Sequence, residues 1–165
     1  MLYKIAEINQ MSQTSFVATL GAVFEQTPAI AAQTWHRRPF HDVADLCHQM
    51  IDVMQALSPA EQLRLIQAHP DLGSRAKMAD ASVQEQAGVG LDRLTPDELA
   101  QLHSLNRRYV DRFGFPFIIA VKNHTKTTIV AALIERLEQT KAAEMPQALA
   151  EIAEIARFRL LKLVA

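Results

Sequence analysis

The chain has one cysteine, five glycines and seven prolines in 165 residues, few aromatic residues (6%), and no excess of either sign of charge. A lone thiol, Cys47, excludes an intramolecular disulfide and any site built from several thiolates, and a reducing compartment fits. Val43, Ala44, Leu46 and Met50 surround it at helical spacing. Cys47 is therefore expected to pack as a small hydrophobe rather than act as a nucleophile. Seventeen basic residues stand against eighteen acidic ones, without the clustered basic excess of a nucleic-acid binder. The densest basic cluster, His36-Arg37-Arg38, reads as a solvated corner between helices. No apolar run is long enough to span a bilayer, and no basic flank with an apolar run opens the chain. Neither nucleic acid nor membrane is an expected partner. A phosphate loop with its lysine is missing, and Gly88-Val89-Gly90 lacks the third glycine and flanking strand of a dinucleotide site. What is present is 49% hydrophobic and 21% charged residues, enough for one domain to bury a core without disulfide or metal staples.

Apolar residues recur at helical spacing almost throughout, so the expectation is an all-α fold. It would be a single domain over 1–165, a bundle of about eight helices with a short buried extended segment. Helices are predicted near 15–25, from Pro28 to before Pro39, and over 42–57. Ser58-Pro59-Ala60-Glu61 is a capping box with Pro in the first helical position, opening a helix that must finish near Ala68 because Pro70 cannot continue it. Thr95-Pro96-Asp97-Glu98 repeats the signal and opens a long helix closed by Gly114. Two more are predicted over 126–139 and 146–163. Between them Phe115-Pro116-Phe117-Ile118-Ile119-Ala120-Val121 is too apolar for an exposed loop, and its backbone groups could face a ligand.

Four constellations could carry chemistry. Arg159 lies seven residues after Ile152 and four after Ile155, inside an apolar stripe; it must snorkel, meet a carboxylate or bind an anionic ligand. His69 sits at a helix C-terminus, where Asp71 could orient the ring or cap a turn. Ser82-x-x-Glu85 matches a capping box, yet with Gln86 and His69 it also offers an acid–base pair plus amide recognition of a polar heterocycle. His41, Asp45 and His48 share a helix face but lack the His-Glu-x-x-His spacing of helical zinc sites.

Taken together, Arg38-Pro39-Phe40, His69-Pro70-Asp71-Leu72-Gly73, Ser82-x-x-Glu85-Gln86, Gly90-Leu91, Asn106-x-x-Tyr109, Phe113-Gly114-Phe115-Pro116-Phe117-Ile118 and Arg159-Leu160 resemble the OHCU decarboxylase family (2-oxo-4-hydroxy-4-carboxy-5-ureidoimidazoline decarboxylases of urate breakdown). The resemblance covers nearly the whole chain. Departures concentrate near the N-terminus, where Phe24-Glu25-Gln26-Thr27-Pro28-Ala29 replaces the family's aromatic-Glu-His-Ser-Pro-Trp. The resemblance implies an all-helical homodimer that uses no metal or organic cofactor and converts a small ureidoimidazoline to S-allantoin and carbon dioxide. It also implies roles: His69 as the catalytic acid–base residue, Glu85 as its partner at the substrate, and Ser82, Gln86 and Arg159 as substrate contacts. Pro70 and the backbone of Phe117, Ile118, Ile119, Ala120 and Val121 would line the same pocket. A cytoplasmic location is expected, since Leu163-Val164-Ala165 is not a Ser-Lys-Leu address. Two other readings stand beside this one: a non-catalytic helical interaction module without a small-molecule pocket, and a metal-dependent hydrolase using His41, Asp45 and His48.

Overall fold

Short polar side chains set the helix starts. A computed structural model describes residues 1–74 and 80–165, and its described residues form nine α-helices and no strand. They are α1 (Ile5–Gln10), α2 (Gln13–Leu20), α3 (Ala29–Thr34), α4 (Val43–Gln55), α5 (Pro59–Gln67), α6 (Asp80–Gly88), α7 (Pro96–Phe113), α8 (Lys126–Arg136) and α9 (Lys141–Leu161). Asp42, Ser58, Thr95 and Thr125 each accept the backbone N–H three residues on, opening α4, α5, α7 and α8. At α5 the box is reciprocal, because the Glu61 carboxylate takes the Ser58 N–H at 2.9 Å. Such caps satisfy donors that the first helical turn leaves unpaired. Gly114 closes α7 at φ 77°, a left-handed conformation that a side chain would strain.

Four expectations need correction. The short helix α1, with only Ile8 buried, leaves too little apolar periodicity to be seen in the sequence. Next, α2 ends at Leu20, and Phe24 and Glu25 sit in the turns that follow, marked by bonds from Val23 N–H to Leu20 and from Thr27 N–H to Phe24. The final helix starts at Lys141, because Thr140 Oγ1 accepts the Ala143 N–H at 3.2 Å; Pro146 lies inside it. Ser82 is not an N-cap, since the helix is already under way at Asp80.

The chain divides into two compact units, one of residues 1–68 with 153–165, the other of residues 69–152. In the first, α3 packs against α2 and α4, around Phe16, Leu20, Ile30, Leu46, Met50 and Met54, each at most 1% exposed. Burying side chains of this size contributes about 1.5–3 kcal/mol apiece. Arg38 ties the α1–α2 link to the turn after α3: its Nη1 donates to Asn9 and Met11 carbonyls, its Nε to Trp35, over whose ring it stacks at 3.9 Å. Tyr3 and Val164 form an isolated parallel bridge joining the two ends of the chain. Cys47 is buried, and burial pushes its thiol above the usual range.

In the second unit α7 packs against α8. Its core is an aromatic cluster in which the Tyr109 ring lies 4.5, 5.9 and 5.4 Å from those of Phe113, Phe115 and Phe117. No helix among the described residues is long and apolar enough to cross a membrane.

Candidate active site

The second unit holds the residues of the His-Pro-Asp-Leu-Gly segment. Ala68 ends α5, as the proline two residues later requires, and His69 follows it, 8% exposed. The chain then turns, with the Ser74 N–H on the Asp71 carbonyl at 3.1 Å. Two side chains hold that turn from different helices: Asn106 of α7 donates its Nδ2 to the Leu72 carbonyl, and Gln86 of α6 accepts the Gly73 N–H, both at 3.0 Å. Gly73 sits at φ 69°, and a Cβ there would come within 2.8 Å of Leu102. A side chain here would be strained at this φ and would have to displace the Leu102 methyl, so glycine suits the turn. Asp71 is exposed as a residue, yet desolvation of its carboxyl by the surrounding loop raises it above the ordinary carboxylate range, with His103 pulling the other way.

Ser82, Glu85 and Gln86 stand at positions i, i+3 and i+4 of α6, so they share one helix face. Ser82 and Gln86 are buried and Glu85 is half-buried. The capping-box pattern thus becomes a polar face. α6 packs on the 3₁₀ turn Val121–Asn123, which ends the Phe117–Val121 segment. Loop, helix and segment are therefore joined within one unit.

The segment is buried along its length, none of its five residues more than 6% exposed. The Ile118 carbonyl accepts Arg136 Nη1 at 2.5 Å, and the Ala120 N–H donates to Glu151 Oε2 at 3.0 Å. Among the described residues the Ile119 N–H and carbonyl and the Val121 N–H form no hydrogen bond. Buried backbone groups are rarely left so.

Arg136 is itself fixed. Its Nε donates to Glu144 Oε1 at 2.6 Å, its Nη2 lies 2.5 Å from the same oxygen without a hydrogen-bond partner's geometry, and its guanidinium covers the Phe117 ring at 4.5 Å. The Tyr109 hydroxyl donates to that oxygen as well, and burial together with this bond holds the phenol far above its usual pKa. Arg136, Glu144, Glu151 and Asn106 are candidate-site residues to which no role was assigned from the sequence. Asn106 had a visible signal, falling four residues after Leu102 and three before Tyr109 on the buried face of α7.

Arg159 belongs to the first unit. It is 5% exposed and meets a protein carboxylate, with Nη1 2.9 Å from Glu25 Oε2 and 3.5 Å from the Val23 carbonyl. Of the three outcomes open to a cation in an apolar stripe, it takes the ion pair; a substrate contact is a separate matter. His41, Asp45 and His48 make local bonds instead of gathering: Asp45 accepts the His41 N–H and the Gln49 amide, and His48 pairs with Asp52. The His41 bond holds the Asp45 carboxyl below its usual range. Among the described residues no three His, Cys, Asp or Glu side chains are grouped to hold a metal ion.

The profile of the OHCU decarboxylase family matches residues 9–161. A 2-oxo-4-hydroxy-4-carboxy-5-ureidoimidazoline decarboxylase of Halalkalicoccus jeotgali is 41% identical over 94% of this chain and 89% of its own length. The uric acid degradation bifunctional protein of Bacillus subtilis is 42% identical over 99% of this chain, which spans 33% of that larger protein. Among solved structures, an (S)-allantoin synthase superposes with a TM-score of 0.76 at 29% identity, over 96% of this chain and 53% of that one. An OHCU decarboxylase crystallised in the presence of (S)-allantoin gives 0.68 at 22% identity, over 92% and 97%, a likeness of fold. With a family profile and full-length relatives aligned across nearly all of it, the chain belongs to the OHCU decarboxylase family.

Proposed function

We propose that this protein decarboxylates 2-oxo-4-hydroxy-4-carboxy-5-ureidoimidazoline to (S)-allantoin and carbon dioxide, in urate breakdown. The observation that carries the reading is the grouping, in one unit of a family member, of the His69 loop, the Ser82–Glu85–Gln86 face and a buried backbone edge with unpaired donors and an acceptor. The substrate contains its own electron sink, since the ring carbon bearing the carboxylate adjoins a carbon doubly bonded to nitrogen. Breaking the carbon–carboxylate bond releases carbon dioxide and sends the electron pair toward that nitrogen, which takes up a proton. The resulting enol-like intermediate loses its hydroxyl proton to become a carbonyl and gains a proton on the neighbouring carbon, whose face decides the enantiomer.

In this reading His69 moves protons near the departing carboxylate and the hydroxyl, and Glu85 holds the ring and ureido nitrogens. Acid–base help of this kind is worth roughly 100- to 10,000-fold. Ser82 and Gln86 are read as polar contacts, Pro70 and the segment from Phe117 to Val121 as the wall, and Arg159 as a grip on a substrate oxygen. Gln86 would serve twice, because its carboxamide oxygen also holds Gly73. One domain over 1–165, a homodimer and a cytoplasmic location complete the proposal; the family profile's span supports the first, and sedimentation equilibrium tests the second.

The test follows the unstable product of urate oxidation and hydrolysis by circular dichroism. Adding this protein should accelerate appearance of the S enantiomer of allantoin; a racemic product forming at the spontaneous rate would refute the assignment.

A further inference from the structure

In extended backbone a residue's N–H and C=O project to one side and those of its neighbours to the other. Ala120, at φ −73° and ψ 91°, lies in the extended region. The bonded groups, Ile118 C=O and Ala120 N–H, belong to alternate residues and share one edge, met by Arg136 of α8 and Glu151 of α9. The unpaired groups belong to the intervening residues: extended backbone turns those of Ile119 away from the bonded edge, and the Val121 N–H is the first of the 3₁₀ turn that follows. A buried unpaired donor or acceptor costs about 1–3 kcal/mol, so the Ile119 edge is one a ligand would complete. Ile119 offers N–H and C=O side by side, the complement of an amide, lactam or ureido edge.

We propose that Arg136 and Glu151 are positioning residues for the decarboxylase reaction: by holding Ile118 and Ala120 from behind, they fix Ile119 and Val121 where the ureido and ring-amide edges of the substrate meet them. This rests on the function proposed above. Each end of the clamp has further partners. Arg136 is locked by Glu144, Tyr109 and the Phe117 ring, and Gln147 Nε2 donates to the second Glu151 oxygen at 3.2 Å. Neither residue need touch the substrate. Their effect would pass through the backbone they hold.

Glu151 is half-buried, which makes E151A the cleaner variant. Calorimetric titration with (S)-allantoin is expected to show affinity about tenfold weaker in E151A, as for loss of a charge-assisted hydrogen bond, with KM rising in parallel. E151Q keeps an acceptor for the Ala120 N–H and should recover most of the loss. R136K, which keeps the charge beside Glu144 but has no fork to reach Ile118 as well, should weaken affinity in the same sense. Wild-type affinity in E151A, or an equal loss in E151Q, would overturn the clamp while wild-type turnover left the function standing. No turnover by the wild-type protein would overturn the function, and the clamp's purpose with it.

Discussion

Two buried guanidinium–carboxylate pairs, one in each unit, look alike and are built for different ends. Arg159 meets Glu25 at 2.9 Å in the first unit, and Arg136 meets Glu144 at 2.5–2.6 Å in the second. Both follow the rule that a buried cation needs a partner. Arg136 spends its remaining fork on Ile118, a backbone carbonyl of the candidate substrate edge, and its partner Glu144 also takes the Tyr109 hydroxyl. Arg159 is anchored to the turn that carries Val23 and Glu25, and its grip on substrate is a proposal. A buried ion pair is therefore not one kind of object: one also carries a backbone carbonyl of the candidate substrate edge, while the other anchors a turn.

Four variants separate the roles of these groups. The largest effect is expected at neither arginine. His69→Asn should lower kcat by roughly 100- to 10,000-fold with allantoin affinity and thermal midpoint near wild type; a near-normal rate would remove His69 from the chemistry. Next, Glu144→Ala strands Arg136 and should cost about 3–5 kcal/mol in denaturant unfolding; a loss below 1 kcal/mol would mean that this pair holds little. Arg159→Lys keeps the charge but loses the planar fork. It should weaken binding of allantoin-like ligands by about tenfold while moving stability less than Glu144→Ala does, and unchanged affinity would make Arg159 structural as well.

The smallest effect is a pH dependence at the loop. The raised Asp71 carboxyl favours the protonated form in the folded protein. Its contribution to stability is therefore fully present below the unfolded carboxyl pKa of about 3.9 and is lost as pH rises through the folded value. Asp71→Asn should match wild type in acid at its best and gain on it toward neutral pH; a gap that widens in the other direction would contradict the desolvation of this carboxyl.

Local signals were legible and distant ones were not. Thr95, Pro96 and Gly114 mark both ends of α7 because a cap and a left-handed glycine act within one turn of the helix. The same four-residue pattern was right at Ser58 and wrong at Ser82, since it does not register whether the preceding residues are already helical. Pro146 misled in a similar way: proline favours a first turn, but Thr140 had already supplied the cap. In the site, the loop after α5 could be read because Pro70 forces the helix to stop. Glu144 and Glu151 could not, because they act on Tyr109 and Ala120, 35 and 31 residues away. Arg136 could have been found. It lies seven residues after Ile129 and three after Leu133, on the buried stripe of α8, the spacing argument that singled out Arg159; its place in the last turn made it resemble an ordinary partner of the helix dipole.

Substrate, in this proposal, is held at the backbone edge of Ile119 and Val121 beside the His69 loop. An amide-resolved NMR titration of the wild-type protein with (S)-allantoin tests it most directly. Saturable shifts are expected at the Ile119 and Val121 amides and at the His69 ring. Saturable binding that leaves all three unmoved, with the shifts confined to a surface such as the groove between Glu98 and Lys126, would contradict it.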